Sequence, residues 1–203
     1  LMGQGEYVDD ISLPHQAVGY VLRSPHAHAK IRSIDTAAAR AAPGVLLVLT
    51  GADREKDGLG TIHCHIPPMA FGGPPSPTPA HPIIVADVAR CVGDPVAFVV
   101  AETLAQAKDA AELVEIDYEP LPAVGSTRAA VKDGAPQVWP ENKGNLWFEM
   151  ARGDAAATDA AFAKAAHVVK ADIHHNRISA NAMEPRATLA EYRSGRGQWN
   201  IWM

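Results

Sequence analysis

The sequence predicts an α+β protein in which a sheet domain covered by helices is followed by a connector and the opening of a second domain. Three observations predict it. Short apolar runs of strand length, bounded by Gly and Pro, recur between Ala17 and Pro120. One helix-periodic stretch, Glu102 to Val114, lies between two of these runs, and a Pro- and Gly-rich stretch at 121–145 carries no sustained period before the patterning resumes.

Taken in order, "AVGYVLRS" (17–24) and "KIRSID" (30–35) read as strands. The "PHAHA" between them is too short for a crossover helix, so a hairpin-like link or a sharp turn is expected. Asp35 caps a short helix in "TAAARAA", and Pro43-Gly44 ends it. "VLLVLT" (45–50) is a continuous apolar run and reads as a central strand. From Asp53 to Pro82 little periodicity survives, which predicts an exposed excursion. "IIVADVARCVGDPVAFVVAET" then gives a short strand, a turn at Gly93-Asp94 and a buried strand at 95–101. In the helix that follows, Leu104, Ala107, Ala111 and Val114 form one stripe, while Glu102, Lys108 and Glu112 fall off it. "EIDYEPLPAV" is the next strand, so strand, helix and strand suggest a split βαβ-type layer.

These elements define a sheet domain at 1–120, with 121–145 as a linker that Trp139 pins down. Residues 146–203 open a second domain: a helix capped near Asp154 or Thr158, a strand in "HVVKADIHH", and strands around 183–192 and 199–202. Its core must come from elsewhere. The first residues lie in a Gly-rich turn and the last in a strand pattern, so a fragment or a small subunit is expected.

Composition narrows the function classes. The 203 residues are 47% apolar and 20% charged, an ordinary globular balance. A net charge of -5 with no Lys/Arg cluster argues against nucleic acid or an anionic membrane as partner. Cys64 and Cys91 are the two cysteines, which fits a reducing compartment, with the cytoplasm as default. No apolar run approaches the roughly 20 residues needed to span a bilayer.

Few residues carry chemistry on their own terms. In "ANAMEPRATLAEY", Pro185 disfavours helix at Glu184, so Glu184 and Arg186 share one face of a strand or strand-like loop, as an ion pair or as a polar wall of a cavity. His63 and His65 flank Cys64 in "TIHCHIP", but two imidazoles fall short of a zinc site, and a structural or solvent-exposed role outranks metal. A hydrolase built on that pair is the least favoured reading. Hydrogen bonding to local backbone accounts for His26 and His28. Gly3 to Gly5 lacks the strand and helix of a phosphate loop, and Asp9-Asp10 reads as turn capping.

The series "GQGEYVDDISLP", "RSPHAHAKIRSID", "PGVLLVLTGAD", "VGDPVAFVVAET", "AQAKDAAELVEIDYEPLPAV" and "MEPRATLAEY" resembles the molybdenum hydroxylase family of xanthine dehydrogenases, aldehyde oxidases and aerobic carbon monoxide dehydrogenases. The resemblance spans nearly the whole chain. It implies an α/β hammerhead domain at 1–120 and the incomplete start of the first molybdopterin-binding domain at 146–203. It also implies an oxidoreductase that hydroxylates aldehydes or N-heterocycles, or oxidises carbon monoxide, on a molybdenum ion held by a pterin dinucleotide. Iron-sulfur clusters and a flavin (FAD) would sit on partner domains or subunits. Glu184 matches the position of a substrate-orienting glutamate, although Pro185-Arg186 departs from the residues that follow it in xanthine dehydrogenase-like members. The pterin-holding loops fall downstream in the family, so this chain alone is expected to bind neither cofactor nor metal and to be inactive. The alternative is a non-catalytic scaffold that docks an iron-sulfur or molybdenum partner subunit.

Overall fold

The computed structural model describes residues 3–62, 78–79, 81–147, 151–176 and 178–203. The chain divides into two compact units, one of residues 17–152 and one joining 1–16 to 153–203.

In the first unit, the strands β1 (Val18–Arg23), β2 (Ala29–Asp35), β3 (Val45–Thr50), β4 (Thr61–Ile62), β5 (His81–Pro82), β6 (Val88–Ala89), β7 (Pro95–Ala101) and β8 (Glu115–Pro120) are joined by four helices. These are α1 (Ala37–Ala41), α2 (Gly51–Lys56), α3 (Leu104–Glu112) and α4 (Thr127–Ala130). One sheet has the order β1-β7-β3, a second has the order β6-β2-β8, and β4 pairs with β5 alone. Every pairing is antiparallel. The α+β class stands, with the sheet content divided between separate ladders.

The first sheet owes its stability to β7. Val96, Ala97, Val99 and Ala101 are fully buried, and the strand is hydrogen-bonded along both edges. Val99 and Ala101 face α3, whose Ala107, Ala110 and Ala111 bring its backbone close to the sheet, while Ala39 of α1 and Val48 of β3 complete the cluster. Small side chains on the helix and branched ones on the strand give a thin, dense layer. Thr103 Oγ1 caps α3 by accepting from the Gln106 N–H.

Two expectations need correction, and one open alternative is decided. Among the described residues β3 is an edge strand rather than a central one: its register slips between Val45 and Leu47, and Leu46 and Leu47 are 59% and 43% exposed. Between β1 and β2 the link is the sharp turn rather than a hairpin, because the chain changes sheets there. Buried Ser24 fixes the switch, its N–H donating to Asp94 O and its carbonyl accepting from Gly93 N, while its hydroxyl oxygen accepts the His26 N–H and turns the chain. For the same reason β7 and β8 do not share a layer.

The start of the expected excursion is helix α2, which lacks an apolar period. Its signal is a cap: Asp53 Oδ2 accepts from both the backbone N–H and the hydroxyl of Thr50. Those two bonds, with the Arg40 guanidinium nearby, hold the Asp53 carboxyl below its ordinary value of 3.8. A carboxyl depressed in the folded state stabilises above its unfolded pKa, and that contribution is lost as pH falls through the folded value. Urea midpoints measured from about pH 6 down to about pH 3 should therefore fall, and Asp53→Asn should flatten part of that acid limb.

Connector residues 121–145 are folded onto the same unit. Asn145, at φ +55°, accepts the Val138 N–H and donates from Nδ2 to the carbonyls of Ala130 and Pro136. Trp139 does pin the segment, with the Arg90 guanidinium 4.1 Å above its ring.

In the second unit, α5 (Ala155–Lys164) begins at Asp154, whose Oδ1 accepts from Ala157 N. A hairpin of β9 (Leu189–Arg193) and β10 (Gln198–Trp202) follows, its turn closed at Gly197 with φ +62°. The expected strand in "HVVKADIHH" does not form, since residues 167–175 are exposed and have no ladder partner among the described residues. Alternation alone does not make a strand when nothing pairs with it.

Candidate functional site

Glu184 lies in a bend ahead of β9, as Pro185 requires, and is exposed. Within its own unit the chain brings one group to it: Glu184 Oε1 accepts the backbone N–H of Val8 at 3.4 Å, at the start of a single helical turn, Val8–Asp10. Asp10 Oδ2 in turn accepts from Tyr7 N, so the carboxylate expected to cap this turn does so. Among the described residues no ion pair joins Glu184 to Arg186. Among the described residues, the long bond from the Val8 N–H is the hydrogen bond that reaches the Glu184 carboxyl.

The other residues singled out by sequence go to structure. His28 Nδ1 lies 2.8 Å from Pro122 O, and because a carbonyl only accepts, this nitrogen carries the proton. That bond reaches backbone far away in sequence, and together with Leu121 N donating to His28 O it ties the end of β8 to the β1–β2 link. His26 stacks on Tyr118 with ring centroids 4.7 Å apart. Gly3 and Gly5 face open space. His63, Cys64 and His65 lie outside the described residues. Among the described residues no group of three His, Cys, Asp or Glu side chains could hold a metal ion.

One thiol deserves a chemical reading. Partial burial, a hydrogen bond from Sγ to Asp94 Oδ1 at 3.0 Å and the Asp94 charge together push the Cys91 thiol up to about 11. At pH 8 about one molecule in a thousand would carry the thiolate. Alkylation of Cys91 by iodoacetamide at pH 8 should be far slower than that of a free cysteine and should accelerate in Asp94→Asn, read by mass spectrometry.

A cavity of about 360 Å³ opens on the face of the first sheet away from α3, lined by Val21, Leu49, Phe98 and Ile84. Arg54 stands at it with side-chain exposure of 12%, its guanidinium already bonded to Leu59 O and Glu55. Asp57 is the one carboxylate in this otherwise mostly apolar lining, and no His, Cys or Ser among the described residues joins it there.

Sequence comparison decides the family. The family described as "Aldehyde oxidase and xanthine dehydrogenase, a/b hammerhead domain" matches residues 2–122, and "Molybdopterin cofactor-binding domain" matches 138–203. The chain belongs to the aldehyde oxidase and xanthine dehydrogenase family. The carbon monoxide dehydrogenase large chain of Afipia carboxidovorans is 35% identical over 98% of this chain and 25% of its own length. The nicotine 6-hydroxylase large subunit of Paenarthrobacter nicotinovorans is 36% identical over the whole chain and 24% of its own length. Among solved structures, quinoline 2-oxidoreductase from Pseudomonas putida 86 superposes with a TM-score of 0.84 at 37% identity, covering 98% of this chain and 24% of that one. The chain thus spans about a quarter of the length of these family members.

A family pterin would need many converging donors in an enclosed cleft. The described residues do not fit that need: every described residue from 151 to 186 is exposed, so these residues form no walled cradle.

Proposed function

We propose that this chain is part of the molybdenum-binding large subunit of a molybdenum hydroxylase, an oxidoreductase acting on aldehydes, N-heterocycles or carbon monoxide. Residues 1–120 are its hammerhead domain, 121–145 the connector and 146–203 the beginning of the cofactor domain. The remainder of the subunit completes the pterin site, and an iron-sulfur subunit, with or without a flavin subunit, carries electrons away in the cytoplasm. When bound, the molybdopterin supplies the redox chemistry. This chain supplies Glu184, which orients the substrate beside that group.

One observation carries the reading: among the described residues of 153–203 Leu189 alone is buried, so the segment's other apolar side chains lack a core. Val169 and Ile178 are each 91% exposed and Met183 is 82% exposed, and α5 buries no residue. So much apolar surface in one segment calls for covering polypeptide. The matches of the cofactor-domain family and of large subunits four times as long support its source.

The test is to purify the chain alone and together with the remainder of its subunit, then measure bound molybdenum and dye-linked oxidation. Metal and turnover are expected in the complete subunit and in neither assay of the chain alone. Stoichiometric molybdenum on the isolated chain would overturn the proposal.

A further inference from the structure

Among the described residues the β4–β5 ladder has two residue pairs, Thr61 with Pro82 and Ile62 with His81, and joins neither three-stranded sheet. So short a strand pair is at best marginal in water, so contacts outside it contribute to holding it. On either side the chain is fixed at Leu59, whose N–H donates to Arg54 O two residues before Thr61, and at Val85, whose N–H donates to Pro95 O three residues beyond Pro82.

What meets the ladder is the connector. The His81 ring stands edge-on to Trp139, with centroids 5.4 Å apart and planes at 72°. The same indole lies under the Arg90 guanidinium at 4.1 Å, and Arg90 Nε donates to Val138 O while its Nη1 donates to Val88 O. Arg90 is itself placed by Asp94, whose Oδ2 accepts its backbone N–H at 2.6 Å. Three weak segments therefore meet on one side chain: the two-pair ladder, the β6–β7 turn and an irregular connector. Edge-to-face and cation–π contacts each have a preferred geometry, so they fix position as well as add attraction.

We propose that Trp139 is a latch by which the connector holds the β4–β5 ladder in place, so that the two segments loosen together or not at all. The connector is thus a positioning device for the β4–β5 ladder, and Trp139 is the positioning residue.

Hydrogen–deuterium exchange of the complete subunit tests this, comparing wild type with Trp139→Leu and Trp139→Phe. In the leucine variant, protection should fall roughly tenfold both in 136–145 and in 59–62 with 81–84, while the phenylalanine variant retains much of both and β7 exchanges as in wild type. Loss of connector protection with the ladder unchanged would overturn the proposal, as would no change in either. Should β7 also loosen in Trp139→Leu, Arg90→Lys decides. It removes the planar stack and the bond to Val138 O, and must again move both segments to uphold the latch.

Discussion

Gly51→Ala is expected to lower the unfolding free energy of the chain by about 3 kcal/mol, through overpacking against atoms that cannot retreat. Gly51 is the buried first residue of α2, and a Cβ there would be driven into the Ala86 Cα and would sit 2.6 Å from both Ala86 N and Val85 O. All three are backbone atoms, and Val85 is anchored through its N–H to Pro95 O. A flexible side chain would swing aside; this backbone cannot. The usual effect of Gly→Ala at a compatible backbone is the reverse, a gain of about 0.4–1 kcal/mol from a less flexible unfolded chain. Gly60, with nothing near its missing Cβ, supplies the control. Denaturant midpoints should drop steeply for Gly51→Ala and hold or rise for Gly60→Ala; equal behaviour at both positions would contradict the steric account.

Glu184→Gln is expected to cut kcat/KM of the complete enzyme by about 100-fold, the order of loss that follows when a substrate is misplaced beside its reacting centre. The substitution is informative because glutamine keeps an acceptor oxygen for the Val8 N–H and so preserves the hydrogen bond seen among the described residues. What it removes is the charge. Loss of turnover with an unchanged melting temperature and unchanged molybdenum content would assign the effect to substrate orientation. Full turnover, with partner subunits still bound, would favour the scaffold alternative instead.

Much of the fold is legible in the sequence where burial and period agree. "PVAFVVA" is a buried strand over Pro95–Ala101, and the Ala stripe of Leu104–Glu112 lies on it. Misreadings arise where the signal depends on a neighbour. "VLLVLT" looks central because its apolar run implies two covered faces, yet Leu46 and Leu47 are exposed. α2 is hidden because Gly51–Lys56 is polar, although Thr50 and Asp53 three residues later spell out its cap. The sheet switch at Ser24 rests on hydrogen bonds to Gly93 and Asp94, and no local pattern encodes a partner seventy residues away. The candidate site is less legible. Glu184 stands out through Pro185, but its bond to Val8 spans nearly the whole chain. The Trp139 latch is visible in sequence as a lone aromatic in a Pro-rich stretch, with no hint of Arg90 or His81 beneath it.

The division of consecutive strands between two sheets has a consequence for biosynthesis. Val18 pairs with Ala101 and Ala29 with Pro120, so the first two strands leave the ribosome long before either partner exists. At a translation rate of roughly 5–20 residues per second, β1 and β2 wait on the order of ten seconds unpaired. Nascent chains stalled before residue 101 should engage chaperones more than those stalled just past 120, once both partner strands are out.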